Sequence, residues 1–117
     1  MDYESTYSNA GHRDYHTMPI LPYARGAWEF QAILAGETEV TFLQNPPIKA
    51  ESNHLWVFAP DCIHGWHGAT KAPCKISVVH FNSIPPALGK WLGNRSFASI
   101  SLTPARSRWF QQLGEQA

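Results

Sequence analysis

Hydrophobic and polar residues alternate along the middle of this chain with the period of two that is typical of β-strands. In residues 28 to 34 the alternation places Glu29, Gln31 and Ile33 on one face, and the other face carries Trp28, Phe30, Ala32 and Leu34. Gly36 interrupts the pattern. Residues 39 to 43 resume it, and this return after a glycine predicts the second arm of a hairpin.

Three further strands are predicted by runs that are rich in aromatic and β-branched residues. They cover residues 54 to 59, 64 to 67 and 75 to 81, and prolines and glycines separate them. Almost no helical period is present before residue 85. Many short strands between turn signals predict a mainly β fold, an antiparallel barrel or sandwich.

Both ends of the chain depart from this pattern. Residues 1 to 17 are polar and show neither a strand nor a helix period, which predicts an N-terminal arm with at most one short strand. The barrel is expected over residues 18 to 84. Residues 85 to 117 are expected to form a helical extension, with a short helix at 87 to 92 and a second helix that begins at Pro104.

The helical extension carries four large apolar side chains, Trp91, Trp109, Phe110 and Leu113. Such a group either forms an interface with a partner or folds back over the outer face of the barrel. The second helix begins close to the last residue, so we expect that the natural polypeptide continues.

Composition narrows the function classes. The 117 residues suffice for one domain, and 44% of them are hydrophobic, as in a folded globular protein. Nine Lys and Arg balance nine Asp and Glu, so we expect no nucleic-acid contact by this segment. No apolar run reaches the roughly 18 residues of a membrane helix. Cys62 and Cys74 match no zinc or redox motif and no secretory segment precedes them, so we expect a cytoplasmic protein.

Glu29, His64 and His80 are expected to face the barrel interior. A polar cluster in an apolar concavity is typical of a small-molecule site, although Glu29 and His64 can also simply bond each other at the barrel mouth. Arg25 is suited either to clamp an anion or a hydroxyl, or to form a salt bridge with Glu29.

Trp56 and Trp66 offer flat aromatic surfaces that either stack on a ligand or fill the core. A metal site would use Glu29, His64 and one further histidine, either His54, His67 or His80. His64 and His67 are three residues apart, and residues with that spacing point to opposite faces of a strand. Arg25 adds positive charge where a cation would lie. We therefore expect no metal and no cofactor.

Two pairs of residues have a spacing that is informative: Glu29 precedes Gly36, and Pro60 precedes His64. In these pairs the chain resembles the two motifs of the cupin family, of which the first also contains two histidines separated by one residue. Here those two positions are occupied by Tyr23 and Arg25. The resemblance implies a cupin-like barrel, a double-stranded β-helix, that lacks half of the metal ligands and is better suited to an organic ligand.

Residues 25 to 36, 58 to 66 and 78 to 81 together resemble the N-terminal sensor domain of AraC-type transcriptional regulators, over roughly residues 20 to 113. In that family a cupin-like barrel binds a small effector, often a sugar. Dimerisation helices and two helix-turn-helix motifs that bind DNA follow it. The resemblance implies a homodimer in the full-length protein and DNA contact only through segments outside this chain.

By this resemblance Trp66, Val78 and His80 line the effector pocket, and the arm closes over it through Tyr15 or His16. The expected ligand-binding residues are Arg25, Glu29, Trp56, His64, Trp66, Val78 and His80. No catalytic residue is expected. Two alternatives of other classes remain, a stand-alone metal-dependent cupin enzyme such as an isomerase or dioxygenase, and a non-catalytic carbohydrate-binding cupin.

Overall fold

The computed structural model describes residues 5–68, 73–106 and 108. Short strands dominate this part of the chain, and one helix follows the eighth strand. In chain order the elements are β1 (Ser5–Arg13), β2 (Ile20–Ala24), β3 (Trp28–Ala35), β4 (Thr38–Thr41), β5 (Ile48–Ala50), β6 (His54–Phe58), β7 (Ile63–His67), β8 (Cys74–Phe81), α1 (Pro86–Leu92) and β9 (Phe97–Ser101).

The strands form two sheets. The five-stranded sheet, here called the large sheet, has the order β1-β8-β3-β6-β9, and the four-stranded small sheet has the order β2-β7-β4-β5. Neighbouring strands are antiparallel throughout both sheets. This architecture confirms the predicted mainly β, antiparallel, cupin-like barrel or sandwich with a short C-terminal helical segment.

The main hydrophobic core contains residues from both sheets, with Ile33 and Phe58 from the large sheet and Trp66 from the small sheet all fully buried. Phe30 belongs instead to a second cluster, against which Leu88 of α1 packs. The alternation along β3 therefore gives two distinct faces, as the sequence predicted, and α1 packs on the face of Phe30.

Two strands lie outside the expected barrel boundaries of residues 18 to 84. β1 occupies most of the expected arm and pairs with β8 from Ser5 opposite Phe81 to Arg13 opposite Cys74. β9 lies in the expected helical extension and pairs with β6. Both are edge strands of the large sheet, and an edge strand exposes more polar positions than a central one, which weakens its sequence pattern.

The predicted hairpin between residues 28 and 43 is wrong. β3 pairs with β6 and β8, so both of its edges are occupied, and β4 pairs with β5 and β7 in the other sheet. The chain crosses between the sheets at Gly36, whose φ of 75° lies in the left-handed region that favours glycine.

Two segments near the C-terminus are helical close to where the sequence predicts helices, and β9 lies between them. α1 begins at Pro86 and ends at Leu92, its buried residue. Residues 104 to 106 are helical, and the Thr103 hydroxyl accepts a hydrogen bond from the Arg106 N–H at 3.3 Å. Trp91 is 42% exposed. The other apolar residues of the expected interface lie outside the described residues: Trp109, Phe110 and Leu113.

A bulge in β2 brings its backbone close to Gly65. Ile20 lies opposite Trp66 and Tyr23 opposite His64, so the register shifts between them. A β-carbon on Gly65 would overlap the Ile20 carbonyl oxygen and would lie 2.8 Å from the Pro22 nitrogen. Only glycine therefore allows β2 to approach β7 in this way.

We predict that Gly65→Ala lowers the free energy of unfolding by about 2 kcal/mol or more, because a backbone strand must shift to admit the methyl group. Gly89→Ala is the matched control, since a β-carbon there would lie 3.9 Å from its nearest contact, Ile84 Cδ1. In α1 that change should raise stability by about 0.5 to 1 kcal/mol. Urea unfolding of both variants measures the difference, and equal effects would contradict the close approach of β2.

Candidate functional site

A cavity of about 350 Å³ lies between the two sheets, on the side where β1 and β2 are the edge strands. Its volume is at the lower end of the range for small-molecule sites in proteins. Its wall combines apolar, aromatic and charged side chains, which are Tyr7, Arg13, Tyr15, Ile20, Tyr23, Arg25, Glu29, Gln31, Trp66, Ile76, Val78 and His80.

Glu29 is the centre of the polar part of this wall. One of its oxygens, Oε1, accepts hydrogen bonds from Arg25 Nε at 3.2 Å and from His80 Nε2 at 3.0 Å. The other, Oε2, accepts from His64 Nε2 at 2.8 Å and from Trp66 Nε1 at 3.4 Å. A carboxylate has about four acceptor positions, and four donors from neighbouring segments occupy them here.

These contacts decide the charge of Glu29, which is only 2% exposed. Burial alone would raise the pKa of its carboxyl, because the charged form loses hydration. Hydrogen bonds from His64 and His80, with electrostatic attraction from His64 and Arg25, outweigh burial and hold the pKa of Glu29 well below its usual range. The carboxylate is therefore ionised at neutral pH, and its acceptor positions are used within the protein.

Arg25 is bound on several sides. Besides its ion pair with Glu29, its Nη1 donates to the carbonyl oxygens of Tyr23, at 2.6 Å, and of His64. Its guanidinium carbon also lies 4.1 Å from the centre of the Tyr23 ring. The side chain is only 4% exposed. Of the two roles considered for Arg25, the structure shows the salt bridge.

His64 supports Glu29 from within the core. Its ring stacks on Phe58 with 3.5 Å between the ring centres, and its Nδ1 lies 3.2 Å from the Cys62 carbonyl oxygen. The side chain is 1% exposed and does not line the cavity. His64 therefore orients Glu29 without facing the cavity.

The turn between β1 and β2 closes one side of the cavity and carries Tyr15. The Asp14 carboxylate accepts hydrogen bonds from the N–H groups of His16 and Thr17, each at 3.1 Å, and so fixes the turn. The connection leads from the large sheet to the small sheet. Tyr15 is thereby held in the core, with 5% of its surface exposed.

The Tyr15 ring stacks on Trp66 at a centre-to-centre distance of 6.2 Å, and its hydroxyl accepts a hydrogen bond from Gln31 Nε2 at 3.3 Å. Burial raises the pKa of Tyr15 to about 12, so its hydroxyl keeps its proton at neutral pH. A hydroxyl that accepts one hydrogen bond can still donate its own hydrogen. Tyr15 is therefore a neutral polar group in the cavity wall.

The structure brings together most of the residues that the sequence singled out. Five line the cavity: Arg25, Glu29, Trp66, Val78 and His80. Trp66 is fully buried between Tyr15 and the core, so it supports the wall from behind.

Trp56 does not line this cavity. It also faces the core, but it stacks on Phe58 and Phe97 towards the opposite side of the barrel. There it contributes to a smaller cavity of about 150 Å³. Its buried indole Nε1 has no hydrogen-bond partner among the described residues. The geometry thus assigns Trp56 a packing role away from the cavity that Glu29 lines.

Seven lining residues were not among the expected ligand-binding residues: Tyr7, Arg13, Tyr15, Ile20, Tyr23, Gln31 and Ile76. Gln31 and Ile76 could have been found, because each shares the face of an expected residue at a spacing of two. Tyr7 and Arg13 lie on β1, within the predicted arm. The resemblance implies that this arm closes over the pocket through Tyr15 or His16, but no pattern in the sequence indicates Tyr7 or Arg13.

The donor set does not suit a metal ion. No group of three or more His, Cys, Asp and Glu side chains within residues 5–68, 73–106 and 108 has the geometry to hold one. The Nε2 atoms of His64 and His80 bond to different oxygens of Glu29. The Arg25 guanidinium binds the same carboxylate, where its charge would repel a cation.

In the described part of the chain, no helix has both the length and the apolar character needed to cross a lipid bilayer.

Cys62 and Cys74 are buried free thiols, and burial raises the pKa of both.

Comparison with known proteins shows the fold. No family model and no curated protein matches the chain. The structure is similar to that of ToxT from Vibrio cholerae, with a TM-score of 0.68 and 9% identity over 94% of this chain and 47% of ToxT. It is also similar to YhaK from Escherichia coli, with a TM-score of 0.59 and 14% identity over 83% of this chain and 44% of YhaK. The chain thus spans less than half the length of either protein.

The contacts of Glu29 predict how stability depends on pH. A carboxyl whose pKa is lowered by folding stabilises the folded state fully above its ordinary value of 4.5, and this contribution is lost as the pH falls below that value. Glu29→Gln should lower the free energy of unfolding by about 3 kcal/mol at neutral pH, the scale for a broken buried ion pair. Between about pH 6 and about pH 3, wild type should lose stability more steeply than the variant.

Urea unfolding as a function of pH measures this difference. Glu51→Gln, which makes the same change at an exposed position, is the control and should follow the wild-type pH dependence. Parallel curves for wild type and Glu29→Gln would contradict the lowered pKa of Glu29.

Proposed function

We propose that this chain is the small-molecule effector-binding domain of an AraC-type transcriptional regulator. The observation that carries the proposal is the cavity between the two sheets, whose polar wall is fixed around a buried carboxylate while the remaining wall is largely apolar and aromatic. A few fixed polar groups in an apolar concavity are what a small-molecule site requires.

The arrangement favours binding over catalysis. A general base needs a free lone pair directed at its substrate, and the acceptor positions of Glu29 are used by Arg25, His64, His80 and Trp66. A metal-dependent cupin enzyme, the alternative, needs ligands that converge on one ion. In this chain Tyr23 and Arg25 occupy the positions of the first motif's two histidines, and His64, the counterpart in the second motif, bonds to Glu29.

The regulatory part of the proposal is supported by the resemblance of the segments around Arg25, Pro60 and Val78 to AraC-type sensor domains. The fold shared with ToxT, of which this chain matches 47%, fits a barrel that is one part of a longer protein. In such a protein, DNA binding and dimerisation belong to other segments, and the bound effector shifts the balance between two arrangements of the whole. The complete reading frame should then encode helix-turn-helix segments after residue 117. A stop codon there would contradict the regulator assignment while leaving the binding site in place.

Val78→Phe tests the site itself. The larger ring would extend from β8 into the cavity, so ligands found by NMR screening of sugars and small organic acids should bind at least ten-fold more weakly, because their space is filled. Ile100→Phe adds similar bulk on β9, at a position that is 38% exposed and outside the cavity, and should leave binding unchanged. Equal binding to wild type and a folded Val78→Phe variant would contradict a site in this cavity.

A further inference from the structure

Two arginines line the cavity, and they differ in what they already bind. Arg25 is almost fully buried and is committed to Glu29 and to two backbone carbonyls. The Nη1 of Arg13 donates to the carbonyl oxygen of its neighbour His12 at 2.9 Å. Among the described residues, no Asp or Glu forms an ion pair with Arg13.

The charge of the cavity wall follows from this difference. Its permanently charged side chains at neutral pH are Arg13, Arg25 and Glu29, and the last two neutralise each other at 3.2 Å. The charge of Arg13 is left without a partner in the wall. A guanidinium presents several N–H donors in a plane that matches the two oxygens of a carboxylate.

The other residues of the cavity wall indicate which groups a negatively charged ligand would contain besides its carboxylate. Arg13 pairs with Cys74 and Tyr7 pairs with His80, so Arg13 and His80 lie towards opposite ends of the β1–β8 pair. Those ends are roughly 20 Å apart along an extended strand. Between them β8 presents the apolar side chains of Ile76 and Val78 to the cavity.

We infer that the cavity takes a small organic anion, a carboxylate with an apolar body, and that Arg13 is its ion-pair partner. The carboxylate lies at the Arg13 end, where the Tyr15 hydroxyl is a further donor, and the apolar body lies along Ile76 and Val78. This inference rests on the proposed binding function and specifies its ligand class. It also moves the anion-binding role from Arg25, which is committed to Glu29, to Arg13 on the edge strand.

Matched pairs of probes test the charge requirement in the intact chain. Phenylacetate and hexanoate are compared with phenylacetamide and hexanamide, which have nearly the same shape but no charge. Backbone amide NMR shifts locate each probe, and titration gives its affinity. Both carboxylates should perturb the residues of the cavity wall and bind at least ten-fold more tightly than their amides, a difference of about 1.4 kcal/mol.

Arg13→Gln should reduce this preference to less than two-fold, whereas Arg13→Lys should keep part of it because it retains the charge. Arg106→Gln removes the same charge at an exposed position outside the cavity and should leave the preference intact. The amide spectrum of each variant shows whether the β1–β8 pairing persists.

The outcomes distinguish a failure of the anion inference from a failure of the proposed binding function. Equal affinity for acids and amides, or an unchanged preference in Arg13→Gln, would overturn the anion inference and leave the binding site standing. If none of the four probes, and no compound in the wider screen, perturbs the cavity wall, the proposed function fails as well.

Discussion

The buried carboxylate of Glu29 is the interaction on which the rest of this structure depends. An ionised group away from water costs several kcal/mol unless its acceptor positions are filled. The donors that fill them come from three other places in the chain: Arg25 between β2 and β3, His64 and Trp66 on β7, and His80 on β8. Because β7 belongs to the small sheet and β3 and β8 to the large one, the cluster joins the two sheets at one end of the cavity.

The same cluster determines what the cavity can offer to a ligand. A residue that satisfies Glu29 has less capacity to bind anything else, and this applies most strongly to Arg25, whose guanidinium is also held by two carbonyl oxygens. Two groups of the cavity wall can still bind a ligand: Arg13 on the edge strand β1 and Tyr15 on the turn that follows it. Both face the cavity. The polar cluster therefore gives one end of the cavity wall its rigidity.

The sequence predicted the parts of this arrangement that depend on local pattern. Alternation along β3 and β8 placed Glu29 and His80 on the inward face, and the spacing of Pro60 and His64 pointed to their counterpart on β7. The sequence could not predict which strands become neighbours, because strand pairing depends on contacts between residues far apart in the chain. For that reason the sequence predicts a hairpin of β4 with β3 and an arm in place of β1, whereas β4 pairs with β5 and β1 pairs with β8. Alternation also gives the face of Trp56 but not the side of the barrel to which its ring extends.

Direct titration of the Glu29 carboxyl tests the central claim that this group is ionised and satisfied within the protein. Glutamate labelled with ¹³C at the carboxyl carbon gives one resonance per residue, and the resonance absent from Glu29→Gln identifies Glu29. Its chemical shift should remain that of a carboxylate from about pH 7 down to about pH 3, through the range in which an unperturbed glutamate titrates. A resonance that titrates at or above 4.5, the ordinary value for this group, would contradict the account.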